Sequence, residues 1–356
     1  MMKNKIQITL HPFSYLESSD WVNSLFVLFF LLPQIGMLFL TKSWFSLQVV
    51  LAAAAGSVCA EFFEKLYGKE KDSYSLVCSL IQGILTGLFL PSALPVYAVF
   101  LTVFFVTACV RYFIGGFSDC WVNIPCLCVC LCWILQTALF PQWQLTHEVI
   151  LARNPALQLI QNGSFPMVSL DTRITAFLNK TVFSFFGVSI PDGYVSLFWD
   201  TGSLIPAFRF NFITLVSSIV LISLNVVKSM IPGIFLLTYG LLVFFACPYF
   251  YASSGHGDLL LAFCTSGLLF SALFLLQYAG TVPLTVWGKG IYGFISGVTA
   301  FFVIGAGTSP AGAVFTILLM NIFSLFIQHF EHHCELRKVN KVLLERVREL
   351  EAGTNA

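Results

Sequence analysis

Long apolar runs alternate with short polar stretches along almost the whole chain. Runs at residues 21-40, 45-63, 74-92, 95-112 and 121-140 precede a mixed polar stretch, and a second set at 208-226, 229-247, 257-277, 288-306 and 309-329 follows it. A bilayer's hydrocarbon core is about 30 Å thick and takes roughly 20 apolar residues in helix to cross. No run alternates as a barrel strand does, which leaves helices as the spanning element that satisfies its own backbone in lipid. The pattern predicts an all-α polytopic membrane protein with about ten transmembrane helices in a five-plus-five arrangement.

The same pattern divides the chain into a first five-helix block (1-140), an outward-facing, periplasmic-side segment (141-207), a second five-helix block (208-330) and a cytoplasmic tail (331-356). Two blocks of five suggest an internal repeat of the kind found in membrane carriers. In the tail, Leu336, Val339, Leu343, Val347 and Leu350 recur at helical spacing with charges between them. That predicts an amphipathic helix meeting a partner chain or the membrane surface. Glycines and prolines punctuate the runs at Thr86-Gly87, Pro91 to Pro95, Gly115-Gly116 and Gly305 to Gly312, and each cluster reads as a helix-end turn.

Composition agrees: of 356 residues 58% are hydrophobic and 10% charged, and the mean hydropathy is +0.86. Charge sets the orientation. With both termini inside, Lys3, Lys5, Lys65, Lys69, Lys71, Arg111, Lys228, Lys289, Arg337, Lys338, Lys341, Arg346 and Arg348 are cytoplasmic, leaving Lys42, Arg153, Arg173, Lys180 and Arg209 outside. The positive-inside rule therefore predicts cytoplasmic termini. A polar stretch from His11 to Asp20 precedes the first run, so that run is expected to act as its own insertion signal. A net charge of +1, with no basic aromatic-laced patch, argues against a nucleic-acid partner.

Metal and redox chemistry find little support in the residues. Among 11 cysteines, Cys126, Cys128, Cys130 and Cys132 alternate within one run. Zinc and iron-sulfur runs favour two intervening residues, and on a helix only Cys126/Cys130 and Cys128/Cys132 share a face. They read as small packing residues, with a cluster shared with a partner subunit as the alternative. His329, His332 and His333 could put two imidazoles on a metal, yet no cluster elsewhere clearly completes the site, and His256 with Asp258 is in the same position. Ionisable residues are almost absent from the middle of the runs, where Gln82, Thr86, Asn225, Gln277 and Asn321 are expected to serve mainly as interhelical hydrogen bonds.

Four punctuated stretches carry a family resemblance. They are Ala60-Glu61 followed by Gly83 to Pro91 and Pro95; Arg111 to Gly116 with Asn123; Ser266-Gly267 through Pro283, Thr285, Gly288, Lys289 and Tyr292-Gly293; and Gly312 to Asn321. In order and spacing the set resembles the NqrB/RnfD family, the membrane component called D in Rnf electron-transport complexes and B in the sodium-pumping NADH:quinone reductase. The resemblance implies a multi-pass subunit of a bacterial-type inner membrane, partnered by the other complex subunits within the lipid bilayer, and FMN as cofactor.

In that family the flavin is esterified through its phosphate to a threonine in a motif Asp-x-x-(Ser/Thr)-(Gly/Ser)-Ala-Thr. The matching stretch here runs from Asp171 to Phe177, with Asp171 and Ala176 agreeing and Phe177 at the acceptor position. Phenylalanine has no hydroxyl to esterify. The implied cofactor-binding residues are therefore Asp171 and, as a slipped acceptor, Thr175 or Thr181. Two acidic residues of the family pattern are also missing, at Gly202 to Pro206 and at Gln277 to Ala279. The expected function is a membrane subunit coupling flavin and iron-sulfur electron transfer to Na⁺ or H⁺ export. A stand-alone channel or carrier for a small neutral solute and a cofactor-free scaffold subunit are the alternatives.

Overall fold

The structure, a computed structural model, describes residues 19–67, 73–114, 121–141, 149, 152, 154–163, 165–251, 257–277, 281–305, 309 and 311–354. Gly115-Gly116 and His256 lie outside them. All regular secondary structure among the described residues is helical. The first block contains α1 (Asp20–Leu40), α2 (Trp44–Tyr67), α3 (Ser73–Phe89), α4 (Val96–Ile114) and α5 (Ile124–Leu135). Among the described residues three short α-helices follow outside it, α6 (Pro155–Gln161), α7 (Asp171–Thr181) and α8 (Tyr194–Trp199). The second block contains α9 (Asn211–Ser223), α10 (Met230–Tyr251), α11 (Leu259–Thr265), α12 (Leu268–Phe274), α13 (Val286–Ile304) and α14 (Gly312–Thr354).

Every apolar run holds helix, but not every run is one full-length helix. Helices α1, α2, α10, α13 and α14 are long and apolar enough to cross a bilayer. By contrast α5 has 12 residues and α9 has 13. The run at 257-277 breaks into α11 and α12 at Gly267, which has φ +67°. A Cβ there would stand 2.0 Å from Cε1 of the Phe208 ring, so the break provides both a left-handed turn and space for an aromatic side chain. Apolar count alone does not reveal such a kink.

Close backbone approach builds the first block. A Cβ on Gly83 would lie 2.5 Å from Ala54 Cα, and one on Gly87 2.5 Å from Val50 Cα. Helix α3 therefore lies directly on α2 along a small-residue seam, as lipid-embedded helices do when packing rather than water drives them together. Thr86-Gly87 is part of that seam, not a helix-end turn.

The two blocks repeat one set of neighbours. In the first, α1 meets α3, α2 meets α4, and α5 meets both α3 and α4; in the second, α9 meets α12, α10 meets α13, and α14 meets both α12 and α13. Across the divide α1 touches α9 and α5 touches α14. The last helix, α14, has 43 residues, so at ~1.5 Å per residue it is about 65 Å long, twice the bilayer core. Its tail continues the axis of the last span. Leu336, Val339, Leu343 and Leu344 remain exposed on it.

Candidate functional site

Asp171 opens α7 and is fully buried. Its Oδ1 accepts from Gly193 N at 2.8 Å and from Thr175 Oγ1 at 3.3 Å. Its Oδ2 accepts from Ser196 N at 2.6 Å and Ser196 Oγ at 2.5 Å, while Ser196 Oγ accepts from Val168 N at 3.0 Å. The carboxylate thus ties the start of α7 to α8 using both oxygens. Thr175, one turn on, faces inward with 3% exposure, whereas Phe177 faces out at 63%. The structure brings Asp171 and Thr175 together and sends the acceptor position away from them.

Beside Thr175 lies a cavity of about 400 Å³ walled by Ile174, Leu178, Phe183, Ile190, Tyr194, Val195, Phe198, Trp199, Phe212, Leu260 and Cys264. The Tyr194 hydroxyl donates to Asp258 Oδ2, and Asp258 Oδ1 caps α11 by accepting from Leu261 N at 3.0 Å. Burial, reinforced by the Asp258 charge, holds the Tyr194 phenol well above the ordinary tyrosine range. A flavin phosphate esterified at Thr175 would have to displace the Asp171 bond and bring a phosphodiester anion against this apolar wall, a costly desolvation. The Thr181 hydroxyl is exposed and donates to Phe177 O at 2.7 Å. The residues of this segment do not fit the family's flavin ester.

A second polar centre sits inside the first block, formed by Glu61 and Arg111, which the sequence marked in separate resemblance stretches without pairing them. Glu61 on α2 is 1% exposed and Arg111 on α4 is 5% exposed. Arg111 Nη1 pairs with Glu61 Oε2 and also reaches Glu64 Oε2 at 3.1 Å, while its Nη2 donates to Ser79 Oγ at 2.6 Å and Gln82 Oε1 at 3.4 Å. Ser79 donates on to Glu61 Oε2 at 2.9 Å, and Lys65 Nζ lies 3.4 Å from Glu61 Oε1. The network joins α2, α3 and α4. Its signal in the sequence was the Glu61, Glu64, Lys65 spacing of one helix turn, near the end of one run, with a lone arginine near the end of another.

In the second block a further buried carboxylate, Glu331 on α14, has no cation paired to it among the described residues. Its Oε2 accepts from Leu284 N at 3.0 Å; its Oε1 accepts from Thr285 N at 3.0 Å and from the Thr285 hydroxyl. Thr285 itself caps α13 by accepting from Gly288 N at 3.0 Å.

Neutral side chains bridge the two blocks. Gln34 Nε2 donates to Thr214 Oγ1 at 2.9 Å, Asn123 Nδ2 donates to Leu275 O at 2.9 Å, and the Asn321 amide oxygen accepts from Asn123 N at 2.9 Å. The Gln277 amide bonds the Lys228 backbone at both ends, at 2.6 and 3.2 Å. A cavity of about 180 Å³ opens among Asn23, Ser24, Tyr74, Cys78, Leu85, Leu273, Phe274 and Gln277. Further along the same interface, Phe89 stacks edge-on against Phe208 and Phe270, with centroids 6.1 and 5.5 Å apart, and Phe270 meets Phe274 at 4.7 Å. His329, His332 and His333 lie on α14 and are all exposed. Cys126, Cys128 and Cys132 are packed in the core.

Comparison with known proteins places this architecture. A family model described as the NQR2, RnfD, RnfE family matches residues 9–336. The chain belongs to that family. It is similar to the D subunit of the ion-translocating oxidoreductase complex of Buchnera aphidicola subsp. Baizongia pistaciae (strain Bp), at 25% identity over 79% of this chain and 84% of that one. It is also similar to the D subunit of the Na(+)-translocating ferredoxin:NAD(+) oxidoreductase complex of Acetobacterium woodii, at 21% identity over 92% of this chain and 94% of that one. The NQR2, RnfD, RnfE family match takes in Glu61, Arg111, Asp171, Thr285 and Glu331 and stops at residue 336, before most of the tail of α14.

Proposed function

We propose that this chain is the D-type membrane subunit of an Rnf-type ion-translocating electron-transport complex in a bacterial inner membrane. The match of the family across residues 9–336 carries the reading, supported by two relatives that are both D subunits of such complexes. Electrons pass through flavin and iron-sulfur centres of the complex, and their downhill flow drives Na⁺ or H⁺ outward. This chain's part is to hold a membrane path and to anchor partners.

The two blocks act as inverted halves, since an odd number of spans in the first reverses the direction of the second. Their boundary supplies the path. The cavity among Asn23, Tyr74, Cys78 and Gln277 opens at the end where α1 and α3 begin and α12 ends, and the Phe89, Phe208 and Phe270 rings close it deeper in. Such an apolar constriction blocks a hydrated ion until the rings part. Glu61 is neutralised by Arg111 and offers no free carboxylate to a passing cation in this state. Lys65, Arg111, Lys228 and Lys289 all lie at the ends of helices that gather on this side, which supports cytoplasmic termini.

FMN esterified to this chain forms no part of the proposal, because the Asp171 to Phe177 segment does not fit the ester. The tail of α14, leaving along the helix axis, suits a protein partner better than the membrane surface. Affinity purification of the tagged chain from membranes, with subunits identified by mass spectrometry, tests the assignment. Recovery of Rnf-type subunits in fixed ratio is expected; a chain that always migrates alone and conducts a neutral solute in liposomes would replace it with the carrier reading.

A further inference from the structure

We propose that the cavity beside Thr175 binds the acyl chain of a phospholipid from the outer leaflet, in the segment where the family pattern leads one to expect a flavin. The proposal stands on the cavity's own chemistry and holds whether or not the chain assembles into a complex. Four facts carry it. The space is about 400 Å³, within the range of small-molecule sites, and its wall is apolar, built from groups such as Leu178, Phe183, Ile190 and Phe198. The two hydroxyls on the wall are already committed, Thr175 to Asp171 and Tyr194 to Asp258. Among the described residues no carboxylate, lysine, arginine or histidine lines it, so a phosphate inside would meet no cation. Finally, the wall combines α7 and α8 with Phe212 in the first turn of α9 and Leu260 in the first turn of α11.

Those first turns mark the outer end of two spans, so the mouth opens at the edge of the bilayer. Trp199, Phe212 and Leu260 ring it and are 48%, 42% and 43% exposed. Water gains nothing in an apolar space of this kind, which stays dry or takes an apolar guest. The guest in molar excess at that depth is a lipid tail. Methylenes entering it leave no polar group unpaired, and the headgroup stays outside in the interface, where Trp and Tyr rings characteristically sit.

The complex, or the full chain where no partner co-purifies, is purified in amphipol and washed free of loosely held lipid. It is then denatured, and the released molecules are identified by mass spectrometry. A stoichiometric phospholipid is expected from the parent protein. Val195→Phe, which fills the cavity, should lose it, and Val195→Ala should keep it; Ile190→Phe provides a second filled cavity if Val195→Phe does not fold. In-gel flavin fluorescence at this chain's own band should be dark in the same samples. FMN whose recovery falls in the filled-cavity variants, an isoprenoid quinone that does so in place of phospholipid, or lipid retention unchanged in folded filled-cavity variants would each overturn the proposal. Each readout is a difference between parent and filled-cavity variant with the same subunits present, so failure here is distinguishable from failure of the complex assignment.

Discussion

Two buried carboxylates, one in each membrane block, are stabilised in opposite ways. Glu61 is held by charge, with the Arg111 guanidinium against one oxygen and Lys65 beside the other. Glu331 is held by dipoles, with the backbone N–H groups of Leu284 and Thr285 and the Thr285 hydroxyl gathered at the N-terminus of α13. A helix N-terminus carries partial positive charge, so it can stabilise a carboxylate without any cation. Asp171, in the segment between the two blocks, follows the second pattern, drawing on Gly193 N, Ser196 N and two hydroxyls. The difference is one of fragility. Removing a cation strands a whole charge, whereas removing a dipole-held carboxylate strands only a few donors.

Arg111→Ala therefore has the largest expected effect. It leaves Glu61 buried with Lys65 and the Ser79 hydroxyl as remaining partners, and breaking a buried pair from one side costs about 3–5 kcal/mol. Thermal unfolding of the purified protein should show the loss. The double variant Arg111→Ala/Glu61→Gln should recover much of it, because the stranded charge is gone. If the single and double variants unfold together, Glu61 is not stabilised by Arg111.

That contrast was only partly legible beforehand. Position in the apolar runs revealed ten helical regions, because a membrane span depends on length and hydropathy within one segment. It did not reveal that Glu61 and Arg111 meet, since a pair 50 residues apart depends on α2 and α4 packing side by side. Nor did it show the break at Gly267, which Phe208 from another segment occupies. Between the two blocks the motif located Asp171 and Thr175 together. Which way Thr175 faces depends on its hydrogen bond to Asp171, and only the structure supplies that.

Glu331→Ala comes next. Three donors lose a charged acceptor, and such bonds contribute about 1.5–3 kcal/mol, partly offset because the site borders solvent and water can replace the carboxylate. Glu331→Gln keeps one acceptor oxygen and should lose less. Both are read by the same unfolding measurement. A loss for Glu331→Ala as large as that for Arg111→Ala would remove the distinction between charge-held and dipole-held carboxylates. Gly288→Ala probes the same contact from the other side: its Cβ would stand 1.9 Å from Glu331 Oε1, at the far end of a flexible side chain. Displacing that oxygen weakens the cap without removing it, so the expected loss is about 1 kcal/mol, below that of Glu331→Ala.

The smallest effect concerns pH and extends the dipole-held pattern to Asp258, which takes the Tyr194 hydroxyl and Leu261 N in place of a cation. Burial first, and the neighbouring Asp258 charge second, raise the Tyr194 pKa above that of an exposed tyrosine. The folded state therefore keeps the phenolic proton at pH values where the unfolded chain has released it. The stability from this bond is fully present below the unfolded tyrosine pKa of about 10 and declines as pH rises beyond it. Tyr194→Phe removes the titrating group, so its stability should be slightly lower near neutrality and should lack that alkaline decline. Limited proteolysis of the segment between the blocks in the purified protein, across a series from neutral to alkaline pH, gives the measurement, with the parent protein and the variant converging as pH increases. If the two cleavage profiles stay parallel into the range above the unfolded tyrosine pKa, Asp258 is held by its α11 cap alone and the tyrosine contributes nothing to it.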